Sequence, residues 1–140
     1  GIKMITAMQN DASKFNGVLP QADRVLCDVP CSGLGVIRRK PEIKFKSAED
    51  FEGLPEIQYQ ILETSARYVK PGGTLVYSTC TLSRAENDEV AGRFAAAHPE
   101  FLPIVQPVPY AGAAGEPMRT YCPDENGGDG FFTASFRRVK

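Results

Sequence analysis

Two short apolar runs separated by one helical pattern constrain this chain more than any other feature. Arg24-Val25-Leu26-Cys27-Asp28 has the composition of a strand, and so has Thr74-Leu75-Val76-Tyr77. Between them Pro55 opens a segment whose Ile57, Ile61, Leu62, Ala66 and Val69 recur at helical spacing, with Arg67 and Lys70 near its end and Pro71-Gly72-Gly73 as its stop. Strand, helix and strand in that order make a parallel crossover, because the helix returns the chain to the end of the sheet where it began. The segments that leave the two strands, Asp28-Val29-Pro30-Cys31-Ser32-Gly33 and Tyr77-Ser78-Thr79-Cys80-Thr81, each carry a cysteine. Carboxyl ends of neighbouring parallel strands open into the crevice where ligands bind, so Cys31 and Cys80 are expected to meet at one site.

The remaining segments extend the same α/β pattern. Ile2 to Met8 is strand-like and is followed by Asn10-Asp11, a polar exit. Ser83-Arg84-Ala85-Glu86 fits a capping box, with Val90, Phe94 and Ala97 on one face of the helix it would start. His98 stands at the end of that helix and Pro99 closes it. Pro103, Pro107 and Pro109 break the strand-like stretch from Phe101 to Val108, and a Gly-rich loop leads into Phe131 to Phe136, expected as a closing strand of antiparallel type. No repeat and no domain boundary appears.

Composition excludes several classes. With 140 residues, 42% of them hydrophobic and 24% charged, the chain is sized for one ordinary domain with a real core. No apolar run approaches the roughly 20 residues that span a bilayer, so a soluble cytoplasmic protein with reduced thiols and no membrane partner is expected. Cys27 and Cys31 stand at Cys-x3-Cys spacing with no second close pair, which is not a zinc pattern, and Cys27 and Cys122 read as structural. Asp124 to Gly130 lacks the Gly and Glu positions of a calcium loop. Gly33-Leu34-Gly35-Val36-Ile37-Arg38 begins like a dinucleotide fingerprint but ends on Arg where that turn needs Gly. A net charge of −1 argues against a generally basic nucleic-acid surface. Val36 to Lys46 is the exception, with Arg38, Arg39, Lys40, Lys44 and Lys46 against Glu42. Phosphate contacts would concentrate there, with Arg38, Arg39, Lys40 and Lys44 as the candidate residues.

Three of these segments carry a family resemblance. Asp28 to Phe45, with its Asp-Val-Pro-Cys-Ser-Gly start, resembles the fourth motif of the RNA cytosine-C5 methyltransferases, nearest the bacterial small-subunit ribosomal RNA group known as the Sun family. Pro71 to Cys80 resembles the sixth motif, and Gly128-Asp129-Gly130-Phe131-Phe132-Thr133-Ala134 is similar to that family's final strand. The resemblance implies a Rossmann-like class I methyltransferase fold with S-adenosylmethionine as cofactor and small-subunit ribosomal RNA as partner. It implies Cys80 as nucleophile, Cys31 as an aid to turnover or release, Asp28 in contact with the base and near the cofactor, and Asp11 facing the cofactor's adenine. Another RNA such as transfer RNA, and a non-catalytic RNA-binding module, are the alternative readings.

The chemistry needs these residue types. Carbon 5 of cytosine is a weak nucleophile, and adding a thiolate at carbon 6 pushes electron density onto it. A carboxyl group near ring nitrogen 3 would stabilise the charge that develops. The family's Gly-rich cofactor turn and its acidic partner do not precede Ile2. The resemblance therefore implies that residues 1–140 form the C-terminal portion of a single catalytic domain. Its family sheet order, 3-2-1-4-5-7-6, would then lack its first strands, leaving strand edges that favour dimerisation and weak or no cofactor binding by this piece alone.

Overall fold

The computed structural model describes residues 3–105 and 115–140. Five strands form one sheet: β1 (Ala22–Asp28), β2 (Val69–Thr79), β3 (Phe101–Pro103), β4 (Met118–Tyr121) and β5 (Phe131–Arg138). The helices are α1 (Leu54–Ala66), α2 (Asp88–Ala97) and the one-turn α3 (Pro123–Asn126). Strand order is β1-β2-β5-β3, with β4 also on β5. β1 and β2 are parallel, from Ala22↔Val69 to Asp28↔Ser78, and α1 is the crossover between them. β5 lies antiparallel to β2, as the closing strand was expected to.

β3 and β4 both run antiparallel to β5. β3 pairs with Phe136 to Arg138, and β4 with Phe131 to Ala134. Ser135 bridges the two stretches, since its carbonyl accepts from Ile104 N and its N–H donates to the Pro117 carbonyl. Pro103 is the last residue of β3, consistent with a ring nitrogen that cannot donate to a ladder. The expected breaks at Pro107 and Pro109 fall outside the described residues.

Alternation along β2 sets the core. Leu75, Tyr77 and Thr79 are fully buried, and Thr74, Val76 and Ser78 between them are half-buried. Leu62 and Ala66 of α1, Val90, Ala91 and Phe94 of α2, and Phe132, Ala134 and Phe136 of β5 join Leu75 and Tyr77 in one cluster. Each buried Phe contributes about 1.5–3 kcal/mol by leaving water. Pro71-Gly72-Gly73 does not precede β2 but lies inside it, as an irregularity between the pairs Ala22↔Val69 and Arg24↔Thr74. Gly72 takes φ +78°, which an L side chain would resist.

Two further expectations are corrected. Residues 3 to 8 form no strand, and Met4 and Ile5 are 90% and 73% exposed. Strand propensity needs a ladder to realise it, and none of the described strands lies beside this segment; β1 is bonded only to β2. Ser83 to Glu86 is not a capping box. Glu86 N and Asn87 N both donate to the Ser83 carbonyl in a turn, and α2 starts only at Asp88. The Glu86 side chain points elsewhere, as described below. His98 does stand at the carboxyl end of α2, its N–H donating to the Phe94 carbonyl.

Candidate active site

Parallel pairing brings the two cysteine-bearing segments out of the sheet at the same end. β1 and β2 are in register at Asp28↔Ser78, and one step later Val29 N donates to the Ser78 carbonyl at 3.3 Å. From there the chains leave the sheet together, and Cys31 Sγ lies 3.2 Å from Cys80 Sγ. Both are free thiols and half-buried. The turn after Cys31 is built for close approach. Gly33 takes φ +75°, Gly35 N donates to the Cys80 carbonyl at 3.0 Å, and Gly130 N donates to the Gly35 carbonyl at 2.8 Å. A Cβ on Gly35 would lie 2.6 Å from the Gly130 carbonyl carbon and 2.9 Å from the Cys80 carbonyl oxygen, so only glycine fits.

Beneath the thiols lies a buried polar network. Glu86 is 3% exposed, and its Oε2 accepts from Ser32 N at 2.9 Å and from Gln58 Nε2 at 2.9 Å, while Oε1 accepts from Ser32 Oγ at 2.6 Å. Ser32 Oγ is also 2.7 Å from Thr81 Oγ1. The second amide hydrogen of Gln58 goes to the Pro30 carbonyl at 3.0 Å, leaving Gln58 Oε1 buried without a partner. Thr79 Oγ1 donates to Asn87 Oδ1 at 2.6 Å, and Asn87 Nδ2 donates to the Thr81 carbonyl at 2.9 Å. The residues on either side of each cysteine are thus tied to buried partners, as burial of so many polar groups requires.

Asp28 is exposed at the end of β1 and accepts from Ser78 Oγ at 2.8 Å. Asp11 is engaged locally. Its Oδ1 accepts from Ser13 N at 3.1 Å and Ser13 Oγ at 2.6 Å, and its Oδ2 pairs with Lys14 at 3.0 Å. The Ser13 hydroxyl, then Lys14, hold its carboxyl down to about 2. The basic segment forms short 3-10 turns at Leu34–Val36 and Pro41–Phe45. Arg39 pairs with Asp129, whose side chain is only 4% exposed, and Arg38 lies 3.9 Å from the same carboxylate and donates to the Gly127 carbonyl. Lys40 and Lys44 are exposed.

Burial, then the adjacent Cys80, holds the Cys31 thiol well above its ordinary range. Cys27, four residues earlier and facing the core, is pushed up to about 11 by burial. Two residues of this region were missed from the sequence, Glu86 and Asp129. The signal for Glu86 is that residues 86 and 87 stand four before Val90 and Ala91 and so continue the buried face of α2 backwards. For Asp129 it is a lone carboxylate between glycines at the start of an apolar strand.

Residues 1–137 match the family described as 16S rRNA methyltransferase RsmB/F. The chain is 44% identical over 99% of its length to the probable ribosomal RNA small subunit methyltransferase B of Bacillus subtilis, covering 33% of that protein. It is 35% identical over its whole length to the ribosomal RNA small subunit methyltransferase F of Escherichia fergusonii, covering 31%. The crystal structure of NSun6 from Pyrococcus horikoshii with SFG superposes with a TM-score of 0.79 at 29% identity, over 99% of this chain and 35% of that one. The chain spans about a third of the length of the curated relatives it matches.

Proposed function

The chain belongs to the 16S rRNA methyltransferase RsmB/F family, and from that premise we propose that it forms the dithiol part of an enzyme that methylates carbon 5 of a cytosine in small-subunit ribosomal RNA. Residues 1–140 are then the C-terminal portion of its catalytic domain. The observation that carries the reading is the 3.2 Å approach of two free thiols at the carboxyl ends of adjacent parallel strands, with the exposed Asp28 carboxylate at the same end.

Cys80, as thiolate, forms the bond to carbon 6 of the base, and the ring's electron pair moves toward carbon 5. Asp28 stands where a carboxyl could hydrogen-bond a polar ring edge. After the methyl group is in place, carbon 5 gives its proton to a solvent base, the C5–H electron pair re-forms the C5–C6 double bond, the S–C6 bond breaks, and the electron pair of that bond returns to Cys80. Cys31, with its Sγ 3.2 Å from Cys80 Sγ, can donate an S–H hydrogen bond to the departing sulfur, which suits it to release. When bound, S-adenosylmethionine, of which the SFG in the Pyrococcus horikoshii structure is an analogue, supplies the electrophilic methyl group. The two candidate cofactor carboxylates fit it unequally. Asp28 is exposed and, among the described residues, accepts from only Ser78, whereas both oxygens of Asp11 are engaged by Ser13 and Lys14 and would have to exchange those partners for the adenine. Lys40 and Lys44 carry the phosphate contacts, joined by Arg38 and Arg39 at 68% and 72% side-chain exposure despite their pairing with Asp129.

The test is transfer of labelled methyl from S-adenosylmethionine to undermodified small-subunit ribosomal RNA by the chain extended to the length of its relatives. Label in cytosine that disappears in Cys80→Ala is the expected result. Label that survives Cys80→Ala removes the nucleophile assignment, and no label from the unaltered protein removes the substrate, leaving another RNA or a binding role.

A further inference from the structure

The two thiols are not in contact by strand pairing alone, because the chain has left the ladder before either is reached. Cys31 lies three residues beyond Asp28, and Cys80 two beyond Ser78, the last paired positions. Beyond the sheet the two segments are joined by the bond from Gly35 N to the Cys80 carbonyl and by a chain of buried hydrogen bonds from Thr81 to Ser32 to Glu86. Ser32 follows Cys31 directly and Thr81 follows Cys80 directly. Glu86 fixes both the backbone and the hydroxyl of Ser32, and the oriented hydroxyl meets Thr81 at 2.7 Å. Glu86 is itself held from two sides. Gln58 of α1 donates to its carboxylate, and the Tyr77 hydroxyl of β2 donates to its carbonyl at 2.6 Å. Gln58 also reaches the Pro30 carbonyl, on the other side of Cys31. Every donor to the Glu86 carboxylate lies 28 or 54 residues away, so the group serves long-range geometry and not the start of α2.

We propose that Glu86 is a positioning residue that sets the spacing of the Cys31 and Cys80 sulfurs through Ser32 and Thr81. The inference deepens the methyltransferase reading and rests on it for its chemical purpose, since attack and release by neighbouring sulfurs need a fixed separation. A buried carboxylate is a costly way to fill space, and an apolar side chain of similar size would avoid that cost. Two of its three accepted bonds come instead from Ser32, directly after Cys31, and the third from Gln58, which also holds the Pro30 carbonyl directly before Cys31.

The geometry also ranks the substitutions. In Glu86→Gln the amide oxygen can take the Oε2 position and accept from Ser32 N and Gln58. The amide nitrogen then donates to Ser32 Oγ, whose own hydrogen turns to Thr81. The link between the loops survives. Glu86→Ala takes away the acceptor of both the Ser32 N–H and its hydroxyl, so the Ser32–Thr81 contact is no longer oriented.

Phenylarsine oxide reads the spacing without RNA or methyl donor. Its arsenic forms two As–S bonds, and the two thiol protons leave with its oxygen as water, so capture depends on both sulfurs being held together. The experiment uses this chain under conditions where near-ultraviolet circular dichroism shows each variant fully folded. Wild type is expected to bind one equivalent, and Cys31→Ser to abolish tight capture. Glu86→Ala is expected to weaken capture by about tenfold or more through lost preorganisation, with Glu86→Gln close to wild type. Thr81→Val, which cuts the far end of the chain of bonds, is expected to follow Glu86→Ala. Unchanged capture in folded Glu86→Ala overturns the proposal. If that variant does not fold, unchanged capture in Thr81→Val and Ser32→Ala does so instead. Glu86-dependent capture alongside absent methyl transfer would remove the reading in the preceding section and leave the control of spacing standing.

Discussion

Strand β2 is held in two different ways at its two ends. At the amino end Lys70 pairs with Asp23 at 3.0 Å with both side chains exposed, and Arg137 and Arg138 donate to the Gly72 and Val69 carbonyls. At the carboxyl end Thr79, Thr81, Asn87, Glu86 and Ser32 are all buried and all bonded to one another or to nearby backbone. A bond in water exchanges with solvent at little loss, whereas a buried group that loses its partner bears the full cost of desolvation. The fold therefore concentrates its least forgiving interactions where the thiols are, and fastens the opposite end with contacts that can be lost one at a time.

That contrast can be broken or sharpened by substitution. The largest expected effect is on chemistry. Cys80→Ala in the extended protein should lower methyl transfer by at least about 10³-fold, while Asp23→Ala at the other end should leave the rate near wild type. Next comes Gly35→Ala, whose Cβ meets backbone and should cost about 1–3 kcal/mol, read as a lower urea midpoint. Asn87→Ala should cost about 1–3 kcal/mol, because it takes the acceptor from the Thr79 hydroxyl hydrogen and the donor from the Thr81 carbonyl together. Lys70→Ala is the smallest, about 0–1 kcal/mol, and should shrink further in high salt. A Lys70→Ala loss equal to that of Asn87→Ala would erase the distinction between the ends.

Local pattern in the sequence carried most of the fold. The apolar runs of β1 and β2 and the aromatic closing strand β5 appear where their composition indicates, whereas α1 ends at Ala66 and Val69, read as its last apolar position, already opens β2. The convergence of Cys31 and Cys80 followed from one inference, that the crossover is parallel. Long-range polar pairing was not legible. Ser83 and Glu86 stand at capping-box spacing, but donors from Ser32 and Gln58 capture the Glu86 carboxylate, and no local rule encodes partners that distant. Arg38 and Arg39 look from sequence like a free basic run, and the buried Asp129 to which they turn lies some ninety residues on. Residues 3 to 8 failed for the opposite reason: a strand-like composition without a neighbouring ladder forms no strand and stays exposed.

The packing of Gly35 against Gly130 and the Cys80 carbonyl also has a genetic consequence. Most steric clashes inside a protein set one side chain against another, so a second mutation that trims the neighbour can restore function. Here the atoms in the way are backbone, present whatever amino acid is encoded at 80 or 130. A selection for suppressors of Gly35→Ala should therefore return reversion to glycine at codon 35, because no codon for a smaller neighbour exists to be found.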